Sequence, residues 1–155
     1  FVAKSEIRRW PFIGWLSAKT GTLFIERGRR SDTARVNRLI AEAMLEGDVV
    51  AVFHEGTTSD GAQILRFHSS LLQPALIAGA VVQPVALRFT RGDGSLCTEA
   101  AFDGDKTLWQ SLLQILAQRR IDAQLHFLPL LSGDVPHRRA LADAAHAAIA
   151  SRLNR

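Results

Sequence analysis

The chain has 155 residues, 47% of them hydrophobic, enough for one globular domain with a real core. No stretch reaches the ~18 uncharged apolar residues that span a bilayer, and the single Cys97 excludes an internal disulfide framework and a cysteine zinc site. The net charge of +4 is uneven: residues 1–38 hold nine Lys/Arg against three acids and the remainder ten against twelve, so the N-terminal end seeks anions.

Phe1-Val2-Ala3 reads as the end of a strand. With Phe rather than Met in first place, the expectation is a fragment or processed product. Within Lys4–Leu16, Pro11 suits the first turn of a new helix, where its missing N–H costs little. Trp10, Phe12, Ile13, Trp15 and Leu16 stand beside Arg8 and Arg9. This aromatic–basic cluster fits either a membrane interface or ordinary packing of a helix against a sheet.

Thr22–Ile25 reads as a short strand followed by the charged turn Glu26-Arg27-Gly28-Arg29-Arg30. Ser31 or Asp32 can cap the next helix. Val36, Leu39, Ile40, Ala43 and Met44 then recur at the spacing of one helical face, to about Glu46. Val49–Phe53 is a run of apolar, largely β-branched residues closed by turn chemistry, the pattern of a buried strand. Ser69–Gly79 is a predicted helix with Pro74 inside it, implying a kink. Val81–Phe89 is a predicted strand with Pro84 marking an irregularity or an edge. Arg91–Asp105 is loop-like and contains Cys97, read as a bystander thiol. A helix is expected over Lys106–Arg119, with Leu108, Leu112, Ile115 and Leu116 on one face. Ile121–Leu130 alternates as a half-buried strand with Ile, Ala, Leu and Phe on its inner side. An alanine-rich helix over Pro136–Leu153 closes the chain. The alternation of strands and helices predicts a single α/β domain over residues 1–155, a largely parallel mixed sheet flanked by helices.

The most informative segment is Phe53-His54-Glu55-Gly56-Thr57-Thr58-Ser59-Asp60-Gly61. Polar residues just past a buried strand stand where open α/β sheets place ligands and catalysis. Gly56 allows close backbone approach. Gly21-Thr-Leu-Phe-Ile-Glu-Arg27 puts a guanidinium past another strand end, with a fork matched to phosphate oxygens.

The blocks Gly21-x-x-Phe24-Ile25-x-Arg27, Phe53-x-Glu55-Gly56-Thr57-x-Ser59 and Val82-x-Pro84-Val85 resemble, in that order, three of the four blocks of the glycerolipid acyltransferases. The likeness is greatest to bacterial 1-acyl-glycerol-3-phosphate acyltransferases. Phe-Val-Ala-Lys-Ser-Glu and Trp-Pro-x-x-Gly-Trp near the start resemble the same family. The resemblance implies a glycerol-3-phosphate acyltransferase-like fold. It also implies acyl transfer from acyl-CoA or acyl-carrier protein, as co-substrates rather than resident cofactors, to the free hydroxyl of a lysophospholipid. The acceptor expected is 1-acyl-glycerol-3-phosphate, with lyso-ornithine lipid as the alternative; neither scheme calls for a metal.

By the same resemblance Arg27 holds the acceptor's phosphate, and Glu55, Gly56 and Thr57 complete that site and organise the catalytic centre. Gly21 belongs to the arginine block, and Lys4 adds a second cation. Glu55 suits a hydrogen-bond acceptor that holds backbone or histidine better than a phosphate ligand, because like charges repel. Two residues depart from the pattern: Thr58 stands where arginine is frequent, and His68 where lysine is frequent.

The family's general base is a His-x-x-x-x-Asp block. Five residues after His54, His68, His126, His137 and His146 stand Ser59, Gln73, Leu131, Ala142 and Ser151, so the block is absent. In the family it lies upstream of the segment matching Phe1-Val2-Ala3. The expectation is therefore an acyltransferase domain without its N-terminal part, inactive alone. His54 with Asp60 has the wrong spacing to substitute. Implied partners are the lysolipid, the acyl donor and a membrane surface, with placement at the cytoplasmic face of the inner membrane, peripheral or anchored through upstream residues. Nucleic acid is not expected, since the basic end carries no recognition motif. A non-catalytic membrane- or anion-binding module is the reading from another class.

Overall fold

The computed structural model describes residues 1–26, 30–55, 63–101, 106–132 and 135–154. Contacts gather into two compact units, each assembled from three separate stretches of chain. The first comprises Phe1–His54, Ser69–Val81 and Ser132–Leu141; the second comprises Glu55–His68, Val82–Leu131 and Ala142–Arg155.

In the first unit, β1 (Val2–Lys4) pairs in parallel with β2 (Leu23–Ile25), aligning Lys4 with Ile25. Between them run a 3-10 turn over Ser5–Arg9 and the short helix α1 (Ile13–Lys19), which starts just after Pro11. Gly14 is fixed by sterics: a Cβ there would stand 2.3 Å from the Arg8 carbonyl oxygen, so α1 crosses this turn only without a side chain. Helix α2 (Arg30–Leu45) follows. Val36 and Ile40, one turn apart, are fully buried against Ile25, with Val2, Leu23, Met44, Val50 and Leu71 packed around them. Each such aliphatic side chain contributes about 1.5–3 kcal/mol on burial. Leu39, expected on the same face, lies at its edge and is partly exposed.

Ser69–Leu72 forms a 3-10 turn that passes into α3 (Gln73–Ile77). Pro74 occupies the first turn of α3, so the expected kink is a change of helix type at a position where proline needs no N–H partner.

The segment 49–53 corrects the expectation of a buried strand. It joins no strand ladder among the described residues. Val50 and Val52 are half-buried while Val49, Ala51 and Phe53 are exposed. An apolar run reports a tendency to burial, whereas a strand also needs a neighbour to hydrogen-bond, and that neighbour is not written in the run itself.

In the second unit, β3 (Val85–Thr90) pairs antiparallel with β4 (Asp122–Phe127) over six residues each. Pro84 precedes the ladder, and the Val82–Leu131 bridge continues the pairing beyond it. Helix α4 (Leu108–Leu116) opens with a capping box in which Thr107 and Gln110 exchange hydrogen bonds. Helix α5 (Arg138–Leu153), whose residues up to Leu141 belong to the first unit, begins after His137, whose Nδ1 caps it by accepting from the Ala140 N–H at 3.0 Å. The β4 face is the reverse of the one expected. Ala123, Leu125 and Phe127 point outward, while His126 is half-buried and lies 3.2 Å from Arg152 Nη2. Buried Ala86 and Thr90 lie across the ladder on the His126 side. Period-two alternation identifies two faces; here the small and polar one is covered. The α/β class holds, with one parallel and one antiparallel strand pair among the described residues.

Candidate active site

Two strand ends were expected to furnish the site. The first is the C-terminal end of the β1–β2 pair, where Lys4, exposed, lies beside Ile25 at the edge from which the chain leaves β2. That exit is clasped from α2. Asp32, in the first turn of the helix rather than at its cap, accepts the Glu26 N–H. Arg35 pairs with Asp32 at 2.8 Å and donates to the Phe24 carbonyl at 3.0 Å. Arg8 also lies over the Phe24 ring at 5.9 Å. Within the arginine block, the backbone at Phe24 and Glu26 is therefore held by two side-chain hydrogen bonds, and the Phe24 ring by Arg8. Arg27 itself lies outside the described residues.

Gly21 lies at the other end of β2, roughly 10 Å along a three-residue strand. Its φ of +72° closes the turn after α1, a left-handed conformation that suits glycine. That conformation accounts for glycine there, at the far end of β2 from Lys4.

At the second expected strand end, the segment 49–53, which joins no ladder among the described residues, is followed by Glu55, half-buried in a turn with His54. Its Oε2 accepts the Leu65 N–H at 3.2 Å. The carboxylate thus ties together residues 55 and 65, which bracket the stretch with Gly56 and Thr57; those two residues lie outside the described ones. A carboxylate engaged with backbone in this way is an acceptor that fixes the local course of the chain.

The remaining histidines have structural surroundings. His146 stands edge-on to Phe67 with ring centroids 5.1 Å apart. Cys97, buried, directs its thiol toward Glu99 at 3.5 Å. Glu99 forms a two-pronged pair with Arg91 at 2.6 and 2.7 Å. The hydrogen bond from Arg91 holds the Glu99 carboxyl below its ordinary range, and the same bond raises the Arg91 guanidinium. Asp93 is also lowered, chiefly by the Ser95 hydroxyl. This cluster braces the loop after β3. Neither it nor the Asp32–Arg35 clasp was foreseen, although the i, i+3 spacing of Asp32 and Arg35 was a usable signal. Among the described residues no group of three or more His, Cys, Asp or Glu could hold a metal ion.

The acyltransferase family model matches residues 1–88, more than half of the chain. The chain belongs to the acyltransferase family. The chain is 38% identical over 149 residues to the lyso-ornithine lipid O-acyltransferase of Pseudomonas aeruginosa, covering 96% of this chain and 57% of that protein. It is 36% identical over 139 residues to the enzyme of the same name from Brucella abortus, covering 82% of this chain and 52% of that one. The 1-acyl-sn-glycerol-3-phosphate acyltransferase of Neisseria meningitidis is 34% identical over 128 residues, covering 83% and 50%. Among solved structures, the 1-acyl-sn-glycerophosphate acyltransferase PlsC of Thermotoga maritima shares the fold. The TM-score is 0.63 at 19% identity, over 99% of this chain and 55% of that one. The chain spans about half the length of the curated relatives it matches.

Proposed function

We propose that this acyltransferase moves a fatty acyl group from an acyl-CoA or acyl-carrier-protein thioester to the free hydroxyl of a lysolipid, with the general base supplied by residues outside these 155. The observation that carries the reading is the Glu55 carboxylate. It sits in the Phe-x-Glu-Gly-Thr block and accepts the Leu65 N–H, which supports reading it as a positioning group rather than as the base. A histidine of a His-x-x-x-x-Asp block would take the acceptor's proton as its oxygen attacks the thioester carbonyl, and the thiol would leave. The Arg27 guanidinium would orient the anionic headgroup.

Lyso-ornithine lipid is the first acceptor to test. An ornithine headgroup offers a carboxylate to the Arg27 fork in place of a phosphate. It also needs fewer cations, in keeping with Thr58 and His68 standing where Arg and Lys are frequent. The names of the Pseudomonas and Brucella relatives support this choice. The second reading, 1-acyl-glycerol-3-phosphate, is supported by the phosphate-type block ending at Arg27 and by the Neisseria relative. Exposed Phe12, Trp15 and Leu16 on and before α1 support contact with a membrane surface at the basic end.

The experiment is acyl transfer by the complete protein with both acceptors at matched concentration. Preference for lyso-ornithine lipid supports the first choice, and preference for 1-acyl-glycerol-3-phosphate replaces it. The isolated 155-residue chain is expected to show no turnover; turnover abolished by Glu55→Ala would overturn the assignment of the base elsewhere.

A further inference from the structure

Helix α4 inverts the arrangement of a soluble amphipathic helix. Its buried side chain is Ser111, 4% exposed, while Trp109, Leu113 and Leu116 are 67%, 65% and 69% exposed. Residues 109, 113 and 116 follow an i, i+4, i+7 spacing, so they form one stripe, and at 100° per residue that stripe lies opposite Ser111. Leu112 flanks it, and Ile115 lies nearer the Ser111 side; both are partly exposed. No charged residue occurs from Thr107 to Gln118. A helix of this composition is ordinarily covered.

The unit that carries α4 does not cover it. Its fully buried side chains, among the described residues, are proline, alanine, threonine, serine and one cysteine, while Phe67 and Phe89 are half-buried and Trp109, Phe127, Leu113 and Leu116 are exposed. Cations flank the stripe: Lys106 precedes the helix and Arg119 and Arg120 follow it, with Asp105 and Asp122 just outside them and no acid between residues 106 and 121. Arg120 is shared with Asp122 at 2.8 Å, and the Lys106 ammonium also donates to the Ala101 carbonyl. Nine residues make a helix of about 14 Å, too short to cross a hydrocarbon core of about 30 Å. An apolar stripe bearing an indole and flanked by cations is suited to lie along a headgroup layer instead.

We propose that α4 is a membrane-docking helix: Trp109, Leu113 and Leu116 enter the acyl boundary of an anionic bilayer while Arg119 meets lipid phosphates. The choice of a bilayer over a protein partner rests on the lysolipid acyl-transfer reading, since the acceptor of such an enzyme resides in one. The Phe12–Leu16 segment belongs to the other compact unit.

The test uses the complete protein with every other tryptophan, Trp10 and Trp15 among them, replaced by phenylalanine, leaving Trp109 as the sole indole. It is mixed with phosphatidylcholine vesicles with or without phosphatidylglycerol. Trp109 emission is expected to shift to the blue and to be quenched by lipids brominated on their acyl chains. Leu113→Asp with Leu116→Asp is expected to weaken vesicle partition by roughly tenfold or more. Arg119→Gln is expected to weaken it about fivefold on anionic vesicles only. Both leucines are already exposed, so circular dichroism is expected to be unchanged, and Leu113→Gln with Leu116→Gln provides a milder pair. Unshifted Trp109 emission, or equal partition of the leucine pairs and the parent, overturns the proposal. So does a lipid-free dimer that shields Trp109, which would make the occupant a second copy. None of these readouts needs turnover. Acyl transfer by the complete protein with detergent-dispersed acceptor reports separately on the chemistry, so failure of α4 to dock and failure of the acyl-transfer reading are distinguishable.

Discussion

Replacing Glu55 separates a positioning role from an acid–base role. The structure gives its carboxylate one resolved bond, from the Leu65 N–H at 3.2 Å, at a half-buried site. Hydrogen bonds to charged groups contribute ~1.5–3 kcal/mol, and this one is long within the normal range and partly solvated, so ~1–1.5 kcal/mol is the reasonable share. At 1.4 kcal/mol per factor of ten, Glu55→Ala should raise the opening of the Leu65 amide roughly 5- to 12-fold. Glu55→Gln keeps an oxygen acceptor and should leave most of the protection in place. Amide hydrogen exchange resolved at Leu65 measures both. In the complete protein the same ordering should appear in acyl transfer, with Gln retaining turnover that Ala loses. Unchanged Leu65 exchange in Glu55→Ala would refute the tie, and equal loss of turnover in Gln and Ala would mean that the carboxylate's charge or proton is itself required.

Three further outcomes follow from described contacts or from the block resemblance. Gly14→Ala forces a Cβ to within 2.3 Å of the Arg8 carbonyl oxygen and should destabilise the chain. Overpacking costs ~1–3 kcal/mol, and a thermal melt should show it; a melting temperature equal to the parent's would contradict the close approach. In the Arg91–Glu99 pair the folded Glu99 carboxyl is held below its unfolded value, so its stabilisation is complete above the ordinary carboxylate range and is lost as pH falls through the folded value. The difference in urea midpoint between the parent and Glu99→Gln should therefore be largest near neutrality and shrink in acid; a difference independent of pH would count against the pair. Arg27→Ala in the complete protein should raise the acceptor KM roughly 10- to 150-fold, from ~1.5–3 kcal/mol for a charged headgroup contact, with little change in donor use. An unaltered acceptor KM removes Arg27 from the site.

What could be read from the residues divides along a physical line. Helices announced themselves through local information such as the Val36-Ile40-Met44 spacing, although the Thr107–Gln110 cap went unread and Pro74, expected to kink a helix, stands in the first turn of one. Strand pairing depends on a distant neighbour, and there the reading failed twice, at Val49–Phe53 and in the choice of the inner face of β4. The site blocks were legible as motifs, and Glu55 as an acceptor followed from charge alone. The supports were less visible. Asp32 and Arg35 gather on β2 across residues that share no local pattern with it, and the Leu65 N–H that Glu55 accepts is an anonymous backbone group.

Cys97 has a use that its chemistry as a bystander conceals. It is the only thiol in the chain and is 2% exposed, lodged beside the Arg91–Glu99 brace. A thiol-reactive dye can attach only when this loop parts from the strand beneath it. The rate of labelling is therefore a clock for local opening that needs no substrate, no lipid and no introduced probe. Loss of Glu99 should make that clock run faster even where the global fold is retained.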